Sequence, residues 1–492
     1  MKSKITDLTI GQPRAVLWKF CLPLFASVIF QQFYNIADSF VAGKFIGEHA
    51  LAAVGNSYEI TLIFIAFATG CNMACSVLTS QLFGAKNYSG MKTAIYTAMS
   101  SVAVLCGILM LFGFLSADWF LQFMNTPENI YADSKLYMDI YLWSVPFLFF
   151  YNMGTGIFSA MGDSRTPFIF LAISSVVNII VNLLFVVGFD MGVAGVAWAT
   201  FLSQGMSCVL AMTTVFRRLW QIPIGAAAQR TEYGSAEISY DISNNKNGRM
   251  NDNDYDNYHK EVVVRDVKLF DVNYFKKFVS LAIPSVLQQS SISIGTIIIQ
   301  SSINDCGVGV TAGYAAGIKL SNMVIAAFTT LGNGISNFTA QNIGANKLER
   351  VAQGRKAGIQ MVWTLCVPIV LLYTLGAEPL ISLFIDNPTE LALQSGMYFL
   401  YICAPPYFLL SVKLVTDGVL RGAGMMKEFA FATTLDLILR VVLVKILAGP
   451  LGYIGIWMSW PLGWVLGTTL SLLFYKRKFS VAFHTPSKHL LF

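Results

Sequence analysis

The sequence predicts an all-α membrane protein of twelve transmembrane helices arranged as two pseudo-symmetric six-helix bundles, and three observations carry that expectation. Hydrophobic residues make up 55% of the 492 and charged residues 12%, far below the roughly 25% charged content of soluble domains. The apolar residues gather in stretches of about 20 or more, the length an α-helix needs to cross a bilayer. Landmarks of the first half also return in order in the second. Pro23 and Pro284 are 261 residues apart, Gly84 and Gly344 260, Gly162 and Gly424 262, and Gly192 and Gly452 260. One unit has been duplicated, which is a common construction of membrane transporters.

The expected spans run over 15–43, 50–80, 93–115, 132–158, 167–188 and 192–216 in the first copy. In the second they run over 275–303, 310–340, 356–376, 393–420, 429–449 and 452–476. Six is even, so both copies enter the membrane from the same side and the pseudo-twofold lies along its normal. Of the 33 Lys and Arg, 27 fall in the segments that are cytoplasmic if the N-terminus is, which by the positive-inside rule puts both termini in the cytoplasm. The expected location is the plasma (inner) membrane. Lys2 and Lys4 precede a first span with no small-residue cleavage site, so that span is read as a first helix rather than a signal peptide.

Residues 1–220 are expected to form the amino-terminal lobe and 269–478 the carboxy-terminal lobe, with 479–492 as a cytoplasmic tail. Between the lobes, 221–268 is rich in Asn, Asp and charge, too polar to bury the area that would offset ordering. It is read as a cytoplasmic spacer. Seven of the eight Cys lie inside apolar spans and behave as small hydrophobes. Cys71 and Cys75 stand one turn apart without a His or further Cys beside them in sequence, so no metal site is expected there.

A charge at bilayer depth is costly and marks a functional candidate. Asp38, Glu59, Lys319, Lys413, Asp417, Asp436, Arg440 and Lys445 fall within spans. Asp38 is deep in a helix that Pro23 should kink, with Tyr34 and Asn35 on the same face; Pro284 is the matching kink in the second copy. Asn178 and Asn182 are one turn apart in the fifth span, and two readings of them stay open. They could be interhelical glue, or, with Thr200 of the sixth span, oxygen ligands facing Asp38 in a proton or cation site. Glu59 and Lys319, 260 residues apart, could meet as a gate across the cleft or be satisfied each within its own lobe. Asp417 and Arg421, four apart, read as a local helix pair.

At these residues the chain resembles the multidrug and toxic compound extrusion (MATE) transporters. The resemblance rests on Pro23, the stretch Tyr34-Asn35-Ile36-Ala37-Asp38, Gln81-Leu82-Phe83-Gly84-Ala85, Gly162-Asp163-Ser164-Arg165-Thr166-Pro167, Asn178, and the run from Gly192 to Thr200. It covers the whole chain apart from 221–268 and the tail. It implies a twelve-helix, two-lobed antiporter exporting organic, often cationic, amphipathic molecules against inward flow of H⁺ or Na⁺. It assigns the coupling site to Asp38, Tyr34, Asn178 and Thr200, and places any Na⁺ at Asp38, Asn178, Asn182 and Thr200. Asn182 departs from the pattern, because many prokaryotic members carry Asp there. Asp38 is then the only acid in that pocket, and sodium is less well held.

A flippase for a lipid-linked precursor shares the architecture but would need a strongly cationic central cavity. A membrane-embedded enzyme would need a clustered catalytic set, yet all four His lie in loops or the tail and no P-loop, His-Glu-x-x-His or Gly-x-Ser-x-Gly pattern is present. No enzyme activity, cofactor or nucleic-acid partner is expected. The expected partners are the exported molecules, H⁺ or Na⁺ and the bilayer, and the expected working unit is a monomer.

Overall fold

In the computed structural model the described residues are 6–41, 45–46, 48–124, 126–222, 267–385 and 388–484, and they form helices without a single strand. The spacer at 223–266 and the tail beyond 484 lie outside them. In chain order the helices are α1 (Pro13–Val41), α2 (Glu48–Gly84), α3 (Tyr88–Phe123), α4 (Glu128–Ala160), α5 (Arg165–Leu183) with a π-helical turn at Leu184–Gly188, and α6 (Gly192–Gln221). The second copy supplies α7 (Val272–Asn304), α8 (Val308–Gly344), α9 (Leu348–Leu375), a short α10 (Ala377–Ser382), α11 (Glu390–Cys403), α12 (Tyr407–Gly422) and α13 (Met426–His484).

Nine of these helices are long and apolar enough to cross a bilayer, or ten with α11 and α12 taken as one bent span. The remaining two crossings follow from composition and backbone. Helix α4 runs for 33 residues, with Glu128, Asp133, Lys135 and Asp139 lowering the hydropathy of its first half. Helix α13 is two rods meeting at Gly452, whose φ of 57° and ψ of −143° are not helical. Its first-copy mate Gly192 has φ 56°, and only glycine adopts such a conformation cheaply.

Two spans of the second copy are interrupted. The tenth breaks between α11 and α12 with a bend of 55°, where Pro405 and Pro406 remove two consecutive N–H donors. The ninth stops at Gly376 before α10, while its mate α3 runs unbroken for 36 residues. Pro23 and Pro284 sit inside continuous helices. Ser27 Oγ donates to the Pro23 carbonyl at 2.9 Å, and Ser285 Oγ to that of Leu281 at 2.8 Å.

The buried side chains gather in two main clusters, one around Phe64, Met91, Phe149 and Phe158, the other around Phe328, Phe338, Phe399, Tyr407 and Trp457. The leading helix of each copy crosses over. Leu17, Phe20 and Cys21 of α1 belong to the second cluster, and Phe278 and Ala282 of α7 to the first. The outer faces present Leu115, Trp143, Ile180, Val209, Leu371 and Ile446 to the surroundings, the apolar coat a bilayer solvates.

Candidate functional site

Between the halves lies a cavity of about 370 Å³ lined from α1, α2, α4, α5, α6, α8 and α12. Its walls carry many amides and hydroxyls among apolar surface: Asn72 and Ser76 from α2, Tyr151 and Asn152 from α4, Ser174 from α5, Ser203 and Gln204 from α6, and Asn333 and Asn337 from α8. In an apolar solvent such groups must find partners. Ser76 and Ser80 both donate to Asn337 Oδ1, at 2.7 and 3.1 Å, tying α2 to α8 across the two halves.

Asn178 and Asn182 are fully buried. Asn178 Nδ2 donates to Ser203 Oγ at 3.0 Å, and Ser203 lines the cavity, so the amide stands just behind its wall. The Asn178 Oδ1 has no hydrogen-bond partner among the described residues. A buried acceptor without a donor is expensive, and it suits a site that takes a proton donor or a cation. Thr200 donates to the Val196 carbonyl at 3.1 Å, which leaves its oxygen lone pairs available. The donor set of amide and hydroxyl oxygens therefore fits a small hard cation. The lining positions of α1, Leu24, Ser27, Val28 and Gln31, step by three and four, and the same step reaches Asn35 and Asp38. The side chains of Tyr34, Asn35, Asp38 and Glu59 lie outside the described residues.

Two expected pairings fare differently. Lys319 is exposed, with its ammonium 5.9 Å from the Phe384 ring of its own half, and it does not line the cavity. Asp417 does not pair with Arg421. It takes Lys413 Nζ at 2.8 Å and Ser471 Oγ at 2.5 Å; side chains on a helix lean toward its N-terminus, so the short Asp417 side chain leans toward Lys413 and the Arg421 side chain has to reach back to it. Nearby, Asp436 receives Arg440 through two bonds of 3.1 Å, and the guanidinium stacks over Trp460 at 4.8 Å. Lys445 is exposed.

These ion pairs explain why the cavity between the halves extends into the first copy and not into the second. Tyr151, Thr155, Ser174 and Asn178 precede Lys413, Asp417, Asp436 and Arg440 by 262 residues each. Small neutral groups leave space in the first copy where two ion pairs fill it in the second. Ser203 and Ser207 likewise correspond, 260 residues on, to Gly463 and Gly467, where a Cβ would run into Asp436, Arg440 or Lys413. Sequence reading missed the lining from α2 and α8. Its only signal is polar residues spaced by four, Asn72-Ser76-Ser80 and Asn333-Asn337.

The duplication has a counterpart among known families. The MatE family model matches twice, over residues 23–184 and 284–446, one copy for each half. The chain belongs to the MatE family. Members of this family are membrane transporters and not enzymes. Among curated MatE relatives, this chain is 26% identical over 477 residues to the probable multidrug resistance protein YpnP of Bacillus subtilis, covering 96% of this chain and 97% of that one. It is 23% identical over 467 residues to the probable multidrug resistance protein YoeA of the same organism, covering 93% and 92%. A solved structure described as the outward-facing conformation of a multidrug resistance MATE family transporter superposes with a TM-score of 0.83 at 18% identity, covering 99% of this chain and all of that one. The MatE fold of this chain is thus shared along its full length.

Proposed function

We propose that this protein is a secondary active antiporter that exports organic amphipathic molecules, often cationic, in exchange for H⁺ or Na⁺. The observation that carries this reading is the cavity between two duplicated halves, with the orphaned Asn178 oxygen behind its wall and the register of α1 leading from that wall to Asp38. Asp38 is the titrating group, Asn178 and Thr200 supply neutral oxygens, and Tyr34, Asn35 and Asn182 complete the set. Proton or cation binding there neutralises a carboxylate at membrane depth, and this neutralisation is what couples the ion gradient to the exchange of accessible sides. The names of the relatives YpnP and YoeA support multidrug export as the class of cargo. The flippase reading is not favoured, since the cavity lining holds one cation among the described residues, Arg421.

The reading is tested with membrane vesicles loaded with an amphipathic dye, under a pH gradient and a sodium gradient imposed separately. One gradient should drive dye movement, and Asp38→Asn should abolish it while the protein still inserts, because the neutral isostere keeps shape and removes titration. Dye movement at the wild-type rate in inserted Asp38→Asn protein would overturn the assignment.

A further inference from the structure

Arg421 is the one described residue of the cavity lining that carries a charge. It is 3% exposed, and its surroundings do not balance it. Its NH1 donates to Asn333 Oδ1 at 2.7 Å and lies 3.8 Å from the Met73 sulfur. Its Nε is buried with no hydrogen-bond partner among the described residues. The Phe429 ring covers it, 5.1 Å from the guanidinium carbon. No described carboxylate comes within 4.0 Å, the reach of an ion pair. The acid one turn away, Asp417, is already taken by Lys413 and Ser471.

Buried charges in proteins are paired, because removing an ion from water costs several kcal/mol that only a counter-charge offsets. Among the other buried basic residues, Lys413 has Asp417 and Arg440 has Asp436, and part-buried Arg218 has Asp163, whereas Lys92 has no described carboxylate in reach and donates to the Ile222 carbonyl at 2.8 Å. Arg421 also lacks a described carboxylate, and unlike Lys92 it borders the cavity. A guanidinium is also shaped for an anion, to which it donates charge-assisted N–H bonds. The first-copy mate of Arg421, 262 residues earlier, is Ser159, so the duplicated architecture itself does not require a charge there.

We infer that the missing counter-charge is supplied by the cargo: the transported molecule carries a carboxylate or phosphate group that docks on Arg421, its aromatic or apolar body lying along Leu24, Val28, Phe147 and Tyr151. The cargo class is then anionic or zwitterionic amphipaths rather than simple organic cations. This inference rests on the export reading and narrows its cargo.

The test uses the purified full-length protein and two probes that differ by one charge, a rhodamine with a free carboxylate and its methyl ester, with binding read by fluorescence anisotropy. The free acid should bind about tenfold or more tighter than the ester, the worth of a charge-assisted bond. Arg421→Gln should erase that difference by weakening the acid, and Arg421→Lys should keep part of it. An ester that binds as tightly as the acid, an acid that does not bind, or an acid preference that survives in Arg421→Gln would each overturn the inference. Should Arg421→Gln not fold, the wild-type pair of affinities decides alone. Failure of the export reading registers separately, as wild-type protein in liposomes that moves neither probe under either gradient while the binding preference persists.

Discussion

Gln81 and Gln341, 260 residues apart, make the same bond in opposite directions across the two halves. Gln81 Nε2 donates to the Gly422 carbonyl at 3.1 Å, and Gln341 Nε2 to the Ala160 carbonyl at 2.7 Å. Beside them Gly84 and Gly344 let the backbones touch: a Cβ at Gly84 would strike the Gln341 carbonyl, and one at Gly344 the Gln81 carbonyl. The structure is closed at this end, which the positive-inside rule expects to be the cytoplasmic one. The N-terminal segment reinforces the closure. Leu8 N donates to Gln341 Oε1 at 3.1 Å, and Asn342 Nδ2 and Arg350 NH2 both donate to the Leu8 carbonyl.

Gly84→Ala or Gly344→Ala should therefore open the cytoplasmic side. Overpacking typically costs about 1–3 kcal/mol, which would shift the closed-to-open ratio by roughly five- to 150-fold. Spin labels at Arg165→Cys and Lys427→Cys, equivalent positions in the two halves, report the separation of that end. The expected result is a longer label-to-label distance in the Ala variants. An unchanged distribution would mean the glycine contact does not set the equilibrium.

Asp163 anchors the turn between α4 and α5. Burial alone would raise its pKa, but bonds from the Thr166 hydroxyl and backbone N–H, with the Arg218 guanidinium, hold it below the ordinary carboxylate range. A depressed folded pKa means the stabilisation is present above the unfolded value, near 3.9, and is lost as pH falls through the folded one. Asp163→Asn should cost about 1–3 kcal/mol at pH 7. Thermal unfolding of wild type and variant should differ at neutral pH and converge toward pH 3. A gap independent of pH would show that the charge of Asp163 is not what stabilises the turn.

Asn182→Asp restores a second acid to the first half. Two carboxylates near one another cannot both ionise freely, so one pKa of the pair rises or a cation is recruited. The pH or sodium dependence of dye export should shift relative to wild type. Superimposable curves would mean that position 182 does not communicate with Asp38.

Much of this protein was legible before any coordinates. Hydropathy and charge placed the crossings because lipid tolerates only internally bonded helices, and the recurrence of Pro, Gly and Gln at a spacing of 260–262 residues revealed the duplication. Asn178 was legible as a polar group at membrane depth, a kind of residue rare enough to stand out. The breaks at Pro405-Pro406 and Gly376 were present as residue types, yet Pro23, Pro146 and Pro284 sit in helices that continue, so the type alone does not decide.

The sequence by itself determined the all-helical membrane class and the repeat, because each depends on local composition and on spacing along the chain. Only the tertiary structure decided who pairs with whom. Asp417 chose Lys413 over Arg421, the early turns of α1 and α7 packed against the opposite half, and Asn337 joined Ser76, 261 residues away. Such choices compare the free energies of partners brought together from distant segments in a medium where an unpaired charge or amide is costly. The same competition left Arg421 without a described carboxylate at the edge of the cavity, a fact that no spacing in the sequence contains.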